Sequence, residues 1–330
     1  MKKVVYSPGE PSGIGIDLII KLSNSKQWEA LNIPVLTLSD PTLLSERAKL
    51  INQKIKIENI ENIENIENID LNKKGIIQNL AVSRCKNTTP GKLYKANANY
   101  VLKILDYGIK LAEGSSKTGL VTGPISKENI IKIDKNFTGH TERIQELTGS
   151  KEVLMLLASK KLRVALVTTH IPLSAVPNVI DEKIIIDKAI ILHSELKNKF
   201  KIKDPKITML GLNPHAGEGG KIGTEDAEIL LPAAKKLRKI GIDISFPVSA
   251  DTAFTGDLLK KTDAYLAMYH DQALPVLKAL SFGKAINITL GVPIIRTSVD
   301  HGVALDVAGK DGSNFSSLLE AFKAAKKLIK

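Results

Sequence analysis

The chain has 330 residues, of which 43% are apolar and 25% charged, and carries a net charge of +12. This is enough for a globular core with room for two packed domains. The lysines are scattered and aromatic residues make up only 4%, so the charge suits acidic metabolites and offers no clustered, base-stacking face for nucleic acid.

Lys2 and Lys3 precede an apolar run of only Val4, Val5 and Tyr6 before Ser7 and Pro8. That run is too short for a signal-peptide core and predicts a first strand, Val4–Ser7. Gly9-Glu10-Pro11-Ser12-Gly13-Ile14-Gly15 follows. It looks like a dinucleotide loop, but Leu18 stands where the Rossmann fingerprint has its third glycine. Glu58–Ile69 repeats Glu-Asn-Ile four times. A three-residue period slides around a helix without building an apolar stripe, so this reads as a surface insertion with no assigned function. Cys85 is the single cysteine. It excludes an internal disulfide framework, fits a reducing cytoplasm, and has no neighbouring histidine to activate it. A helical pattern covers Tyr100–Ala112, and a strand is expected at Gly119–Thr122. The turn Thr122-Gly123-Pro124-Ile125-Ser126-Lys127 should then open a helix whose first amides can hold an oxyanion. Gly139-His140-Thr141-Glu142 offers a hydroxyl, an imidazole and backbone donors before another helix.

Further strands are expected at Val153–Ala158, Arg163–Thr169, Lys206–Gly211, Ala264–Tyr269 and Ile286–Leu290. Helical patterns fill Glu182–Lys197, with His193 as a structural residue, and Thr224–Lys239, with Thr224 as N-cap. The last helix, Ser316–Ile329, carries Lys323, Lys326 and Lys327 on a solvated face that continues to Lys330. The alternation of strands and helices predicts an α/β fold. No stretch is long enough to span a bilayer, so no membrane partner is expected.

Three of the six histidines closely follow apolar strands: His170, His215 and His270. Ligands of α/β folds gather at the carboxyl ends of strands, and imidazole is a common ligand of divalent transition metals, so the three predict one metal site. Asn213, Glu218 and Asp271 are candidates for orienting them. Arg296, after Ile294 and Ile295, is suited to clamp a carboxylate or phosphate with two donors. The segment His301-Gly302-Val303-Ala304-Leu305-Asp306-Val307-Ala308-Gly309-Lys310 is a second candidate cofactor loop.

Together these strings resemble the 4-hydroxythreonine-4-phosphate dehydrogenase family of pyridoxal phosphate biosynthesis. The motifs are Gly9–Gly15, Thr122–Lys127, Gly139–Glu142, Thr169–Leu173, Leu212–Gly220, Ala250–Phe254, Tyr269–Lys278 and Leu290–Gly309. The resemblance implies a two-domain fold like that of isocitrate and isopropylmalate dehydrogenases, with the active site in the interdomain cleft. Residues 1–137 and 292–330 would form the cofactor domain, and 138–291 the metal and dimerisation domain. It further implies a cytoplasmic homodimer whose site is shared across the subunit interface. His170, His215 and His270 would bind one divalent metal, with zinc, cobalt and magnesium as candidates. His140, Thr141, Lys278, Asn287 and Arg296 match the substrate positions. Lys278, or a water held by Asp271, would take the hydroxyl proton. The loop with His301, Gly302 and Asp306 resembles the adenosine loop of isopropylmalate dehydrogenase. Its carboxylate would repel a 2′-phosphate, which points to NAD over NADP. The implied reaction oxidises and decarboxylates 4-phosphooxy-L-threonine to 3-amino-2-oxopropyl phosphate. A related dehydrogenase of 4-phospho-D-threonate or 4-phospho-D-erythronate is the alternative. A three-histidine hydrolase would leave the 301–310 loop without a purpose. Ile16 and Asp17 stand where the family has Pro-Glu, Phe246 where a glycine is common, and Val303 where a threonine is usual.

Overall fold

A computed structural model of the chain describes residues 1–61, 66, 69–281 and 283–330. Half of the Glu-Asn-Ile repeat, residues 62–65, 67 and 68, therefore lies outside the described residues. The chain forms two compact units, Met1–Gly149 with Pro293–Lys330, and Ser150–Val292. Residues 138–149, with His140 and Thr141, belong to the unit that carries both chain ends.

In the first unit six parallel strands line up in the order β3-β4-β2-β1-β5-β11. They are β1 (Lys3–Ser7), β2 (Val35–Leu38), β3 (Lys56–Asn59), β4 (Ile76–Leu80), β5 (Thr118–Thr122) and β11 (Ile295–Val299). The helices are α1 (Gly15–Ser23), α2 (Lys26–Ala30), α3 (Pro41–Leu50), α4 (Ala98–Glu113), α5 (Lys127–Ile131), α6 (His140–Leu147) and α13 (Ser316–Leu328). Parallel strands buried on both faces read as continuous apolar runs, as Val4-Val5-Tyr6 and Leu120-Val121 do. On α13, Phe322 packs edge-on to Tyr6 at 5.5 Å and to Trp28 at 6.2 Å between ring centroids. Such pairs add about 0.5–1.5 kcal/mol beyond the area they bury. At Gly108 α4 packs closely on the sheet: a Cβ there would stand 2.9 Å from Leu120 Cδ1, so that leucine would have to shift.

The second unit orders its strands β10-β6-β7-β9-β8. They are β6 (Leu154–Ala158), β7 (Arg163–Leu166), β8 (Ile207–Met209), β9 (Ala264–Ala267) and β10 (Ile286–Leu290). β6 is antiparallel to both neighbours, whereas β7, β9 and β8 run parallel. Its helices are α7 (Val176–Val179), α8 (Glu182–Asn198), α9 (Leu231–Lys239), α10 (Ala250–Ala253), α11 (Gly256–Lys261) and α12 (His270–Ser281). Val164, Leu166, Tyr265, Ala267, Leu274 and Leu277 form the heart of its core.

The helix expected over Thr224–Lys239 is interrupted: a wide π turn, Asp226–Leu230, precedes α9. Pro232 explains it, because proline offers no amide to the preceding turn and its ring crowds the carbonyl four residues back. Thr224 does not cap with its side chain; its hydroxyl donates to Glu228 Oε2 at 3.0 Å. Among the described residues no helix is long and apolar enough to cross a membrane.

Candidate active site

Each of the three histidines stands just past the carboxyl end of one of the adjacent parallel strands β7, β9 and β8. The loops are laced together there. Thr168 donates to Met268 O through both its amide (3.1 Å) and its hydroxyl (2.7 Å). Gln272 accepts from Met268 N at 2.7 Å and donates to Gly211 O, joining the ends of β9 and β8. The rings of His170 and His270 lie 5.7 Å apart. His270 opens α12, and its Nδ1 sits 2.7 Å from Asp271 Oδ1. A carboxylate there fixes the ring and leaves Nε2 for another partner.

His215 belongs to a left-handed turn in which residues 215–219 all have positive φ, including the non-glycine His215 (52°), Ala216 (49°) and Glu218 (43°). Such conformations cost about 1–3 kcal/mol each and persist only where the surroundings impose them. Here the buried Asp226 imposes it. Its carboxylate accepts from Leu212 N (2.8 Å), Asn213 N (3.0 Å) and Asn213 Nδ2 (3.0 Å). His215 Nδ1 lies 3.9 Å from Asp251 Oδ2. The strand ends thus bring His170 and His270 together and put His215 on the same edge of the sheet. Among the described residues no three His, Cys, Asp or Glu side chains converge closely enough to hold a metal. As a donor set, three imidazoles with one buttressing carboxylate still match a catalytic transition-metal site. Lys278 is exposed on α12, eight residues or about 12 Å of helix beyond His270. Asn287, half-buried on β10, has a buried Oδ1 without a hydrogen-bond partner, an acceptor that fits a ligand N–H.

The first unit holds the anion-binding candidates. Arg296 on β11 is 2% exposed and donates to Thr122 Oγ1 from Nε (3.2 Å) and Nη2 (2.7 Å). Burial pulls its pKa down to about 10, against a rise caused by Glu142. His140, at the start of α6 beside Thr141, is held well below the usual imidazole range by burial, then by the charges of Arg296 and Lys127. Lys127 enters this cluster although the sequence reading gives it only a place in a turn. A Cβ on Gly139 would stand 3.3 Å from its Nζ and 2.9 Å from Glu142 Oε2. The helix it opens is short, and the amide of Asn129 is already taken by Ser126 Oγ at 3.2 Å.

Residues 301–310 form a chain of turns. His301 Nδ1 lies 3.0 Å from the Gly302 carbonyl, which can only accept, so in the neutral ring Nε2 carries the lone pair. That Nε2 is buried without a partner, as a ligand donor would require, and Asp306 lies exposed on the same loop. Glu10, fully buried in the first glycine loop, accepts from Ser12 N (3.2 Å) and Asn129 Nδ2 (3.4 Å). Burial pushes its carboxyl above the usual range. Cys85 is half-buried, and burial followed by Asp40 pushes its thiol up, away from reactivity. His193 lies inside α8 as expected. The sequence reading gives Glu10, Lys127, Asp226 and Gln272 no separate role, and all four stand beside motifs it does single out.

The family described as pyridoxal phosphate biosynthetic protein PdxA matches residues 30–325. The chain belongs to the PdxA family. It is 41% identical over 328 residues to the 4-hydroxythreonine-4-phosphate dehydrogenase of Enterobacter sp. (strain 638), covering 99% of this chain and 98% of that one. Among solved structures, the 4-hydroxythreonine-4-phosphate dehydrogenase of Klebsiella pneumoniae superposes with a TM-score of 0.89 at 28% identity, with both chains fully covered. The enzyme from Burkholderia phymatum gives 0.85 at 30% identity, covering 99% of this chain and 98% of that one. The α/β fold is thus that of the PdxA dehydrogenases, and the chain is an oxidoreductase of this family.

Proposed function

We propose that this PdxA-family dehydrogenase oxidises the C3 hydroxyl of 4-phosphooxy-L-threonine with NAD and releases the β-carboxylate as CO2, giving 3-amino-2-oxopropyl phosphate for pyridoxal phosphate synthesis in the cytoplasm. The observation that carries this reading is the row of His170, His270 and His215 at the ends of three adjacent parallel strands. His170, His215 and His270 would hold a divalent metal, which when bound would supply Lewis-acid polarisation of the substrate hydroxyl. Lys278, or a water held by Asp271, would take the hydroxyl proton, and NAD when bound would supply the hydride acceptor. Arg296, with Lys127, takes an anionic end of the substrate, and His140 and Thr141 lie near the phosphate. A neutral His140 can donate to phosphate oxygens without adding a third charge. Asn287 Oδ1 accepts from the substrate amine. Asp306 accepts from ribose hydroxyls, which favours NAD over its 2′-phosphorylated form.

The site is completed by a second copy of the chain. Among the described residues of one copy no three ligands converge, His215 Nδ1 lies 3.9 Å from Asp251 Oδ2, and Lys278 is a long helical step from His270. Beside His170, the side chains of Ile171, Leu173 (69% exposed) and Val179 (44%) form an apolar surface for that copy to cover.

NADH formation from 4-phosphooxy-L-threonine, run beside 4-phospho-D-erythronate and 4-phospho-D-threonate with and without chelator, tests this. Chelator-sensitive turnover with the amino substrate alone is expected. A preference for either sugar acid would move the enzyme to carbohydrate breakdown, and turnover untouched by chelator would remove the metal.

A further inference from the structure

Asp17 and Arg47 form an ion pair inside the first unit, with Arg47 Nη1 2.8 Å from Asp17 Oδ1 and the side chains 0% and 1% exposed. Withdrawing two charges from water is costly, and well-packed apolar residues often serve stability as well or better. A buried pair of this kind is explained better by what it positions. Arg47 Nη1 also donates to Gly13 O (3.0 Å), and Nη2 donates to Pro11 O (2.8 Å). The second oxygen of Asp17 accepts from Gly309 N at 2.8 Å. One pair therefore grips the first glycine loop with its cation and the 301–310 segment with its anion. The two loops touch directly as well: Ile14 N donates to Val303 O at 3.0 Å, and a Cβ on Gly13 would stand 2.8 Å from that carbonyl. Gly309 itself has φ +72°, and a Cβ there would meet Pro90 at 2.8 Å.

We propose that the Asp17–Arg47 pair is a positioning device for the nucleotide, holding the 301–310 loop so that His301 and Asp306 meet the adenosine half of NAD. The inference rests on the reading of that loop as the nucleotide seat. Arg47 ties α3 to the carbonyls of Pro11 and Gly13, and Asp17 passes that fixed point on to the Gly309 amide. The Asp17 carboxylate reaches both partners, one with each oxygen.

The test measures NADH affinity directly, by the fluorescence of the bound dinucleotide, in Asp17→Asn, Arg47→Lys and Asp306→Ala. The KM for the phosphorylated hydroxy acid is determined beside it. Displacing a binding group by about 1 Å can cost up to 10²-fold, so Asp17→Asn is expected to weaken NADH by about tenfold. The acid's KM should stay within about twofold, because a lowered folded fraction reduces turnover without changing a KM. Should Asp17→Asn fail to fold, Arg47→Lys carries the test: it keeps a charge against Asp17 and loses the forked donors to Pro11 and Gly13. Loss of affinity in Asp306→Ala but wild-type affinity in the pair variants would overturn the positioning role and leave the nucleotide seat standing. Wild-type affinity in Asp306→Ala would overturn both. Equal weakening of NADH and of the acid would reduce the pair to general support.

Discussion

Between Arg296 and Lys127, His140 stays neutral at a pH where an exposed imidazole begins to take up protons, because burial and two nearby cations oppose its charging. The consequence for stability has a definite sign. Below an ordinary imidazole pKa of about 6.5 the unfolded chain binds a proton at residue 140 that the folded chain refuses. This contribution therefore falls as pH drops below about 6.5, toward the depressed folded value, and is flat above it. Urea unfolding of wild type and His140→Gln between mildly acidic and neutral pH should show a smaller acid-side loss in the variant. A parallel pair of curves would mean that His140 titrates as an exposed imidazole does. Under the proposed function this cost is offset in use: a phosphate beside Arg296 and His140 would meet donors already stripped of water, which strengthens each hydrogen bond it accepts.

Elements that carry one signal were legible in the sequence; elements that carry two conflicting ones were not. The left-handed turn at residues 215–219 belongs to the second kind, and it can be probed directly. Ala216 sits at φ 49° with a Cβ that disfavours that geometry. Ala216→Gly should raise stability by about 1 kcal/mol in chemical denaturation, since glycine adopts the left-handed region freely. A destabilised variant would show that the Ala216 methyl, which lies against Gly211, contributes more by packing than it costs in strain. β1, β5, β6, β7, β9 and β10 announce themselves as apolar runs, and the long helices α4, α8 and α13 by their periodicity. By contrast β3 is half polar and only partly covered, and β4 buries Gln78 and Asn79 by satisfying their amides with hydrogen bonds. β11 spells Ile-Arg-Thr-Ser-Val, hiding a core strand behind a buried cation and two hydroxyls. α12 contains Pro275, which ordinarily ends a helical pattern. At the site, strand ends pointed to the three histidines and the string before α6 to His140. Lys127 and Asp226 stayed hidden because their roles depend on chain segments that only folding brings near.

At the scale of the whole molecule, the proposed pairing of two copies can be tested by mass. Sedimentation equilibrium should give twice the chain mass. Leu173→Asp, which places a charge where a partner must seat, should shift the population toward monomer and lower activity in parallel. A fully active monomer would end the shared site. The two-unit layout also bears on how the chain is born. Ser150–Val292 is one continuous stretch of sequence, whereas the other unit takes β11 and α13 from residues translated after it. Lys2 Nζ donates to Ile329 O at 2.9 Å, so segments translated far apart in time meet in this unit. The later-starting unit can complete itself while the earlier one still waits, its β5 edge open and the apolar faces of Tyr6 and Trp28 lacking Phe322. A chain truncated after Val292 should therefore resist protease across Ser150–Val292 and be cut in the remainder. Chaperone demand during synthesis would fall on the segment translated first.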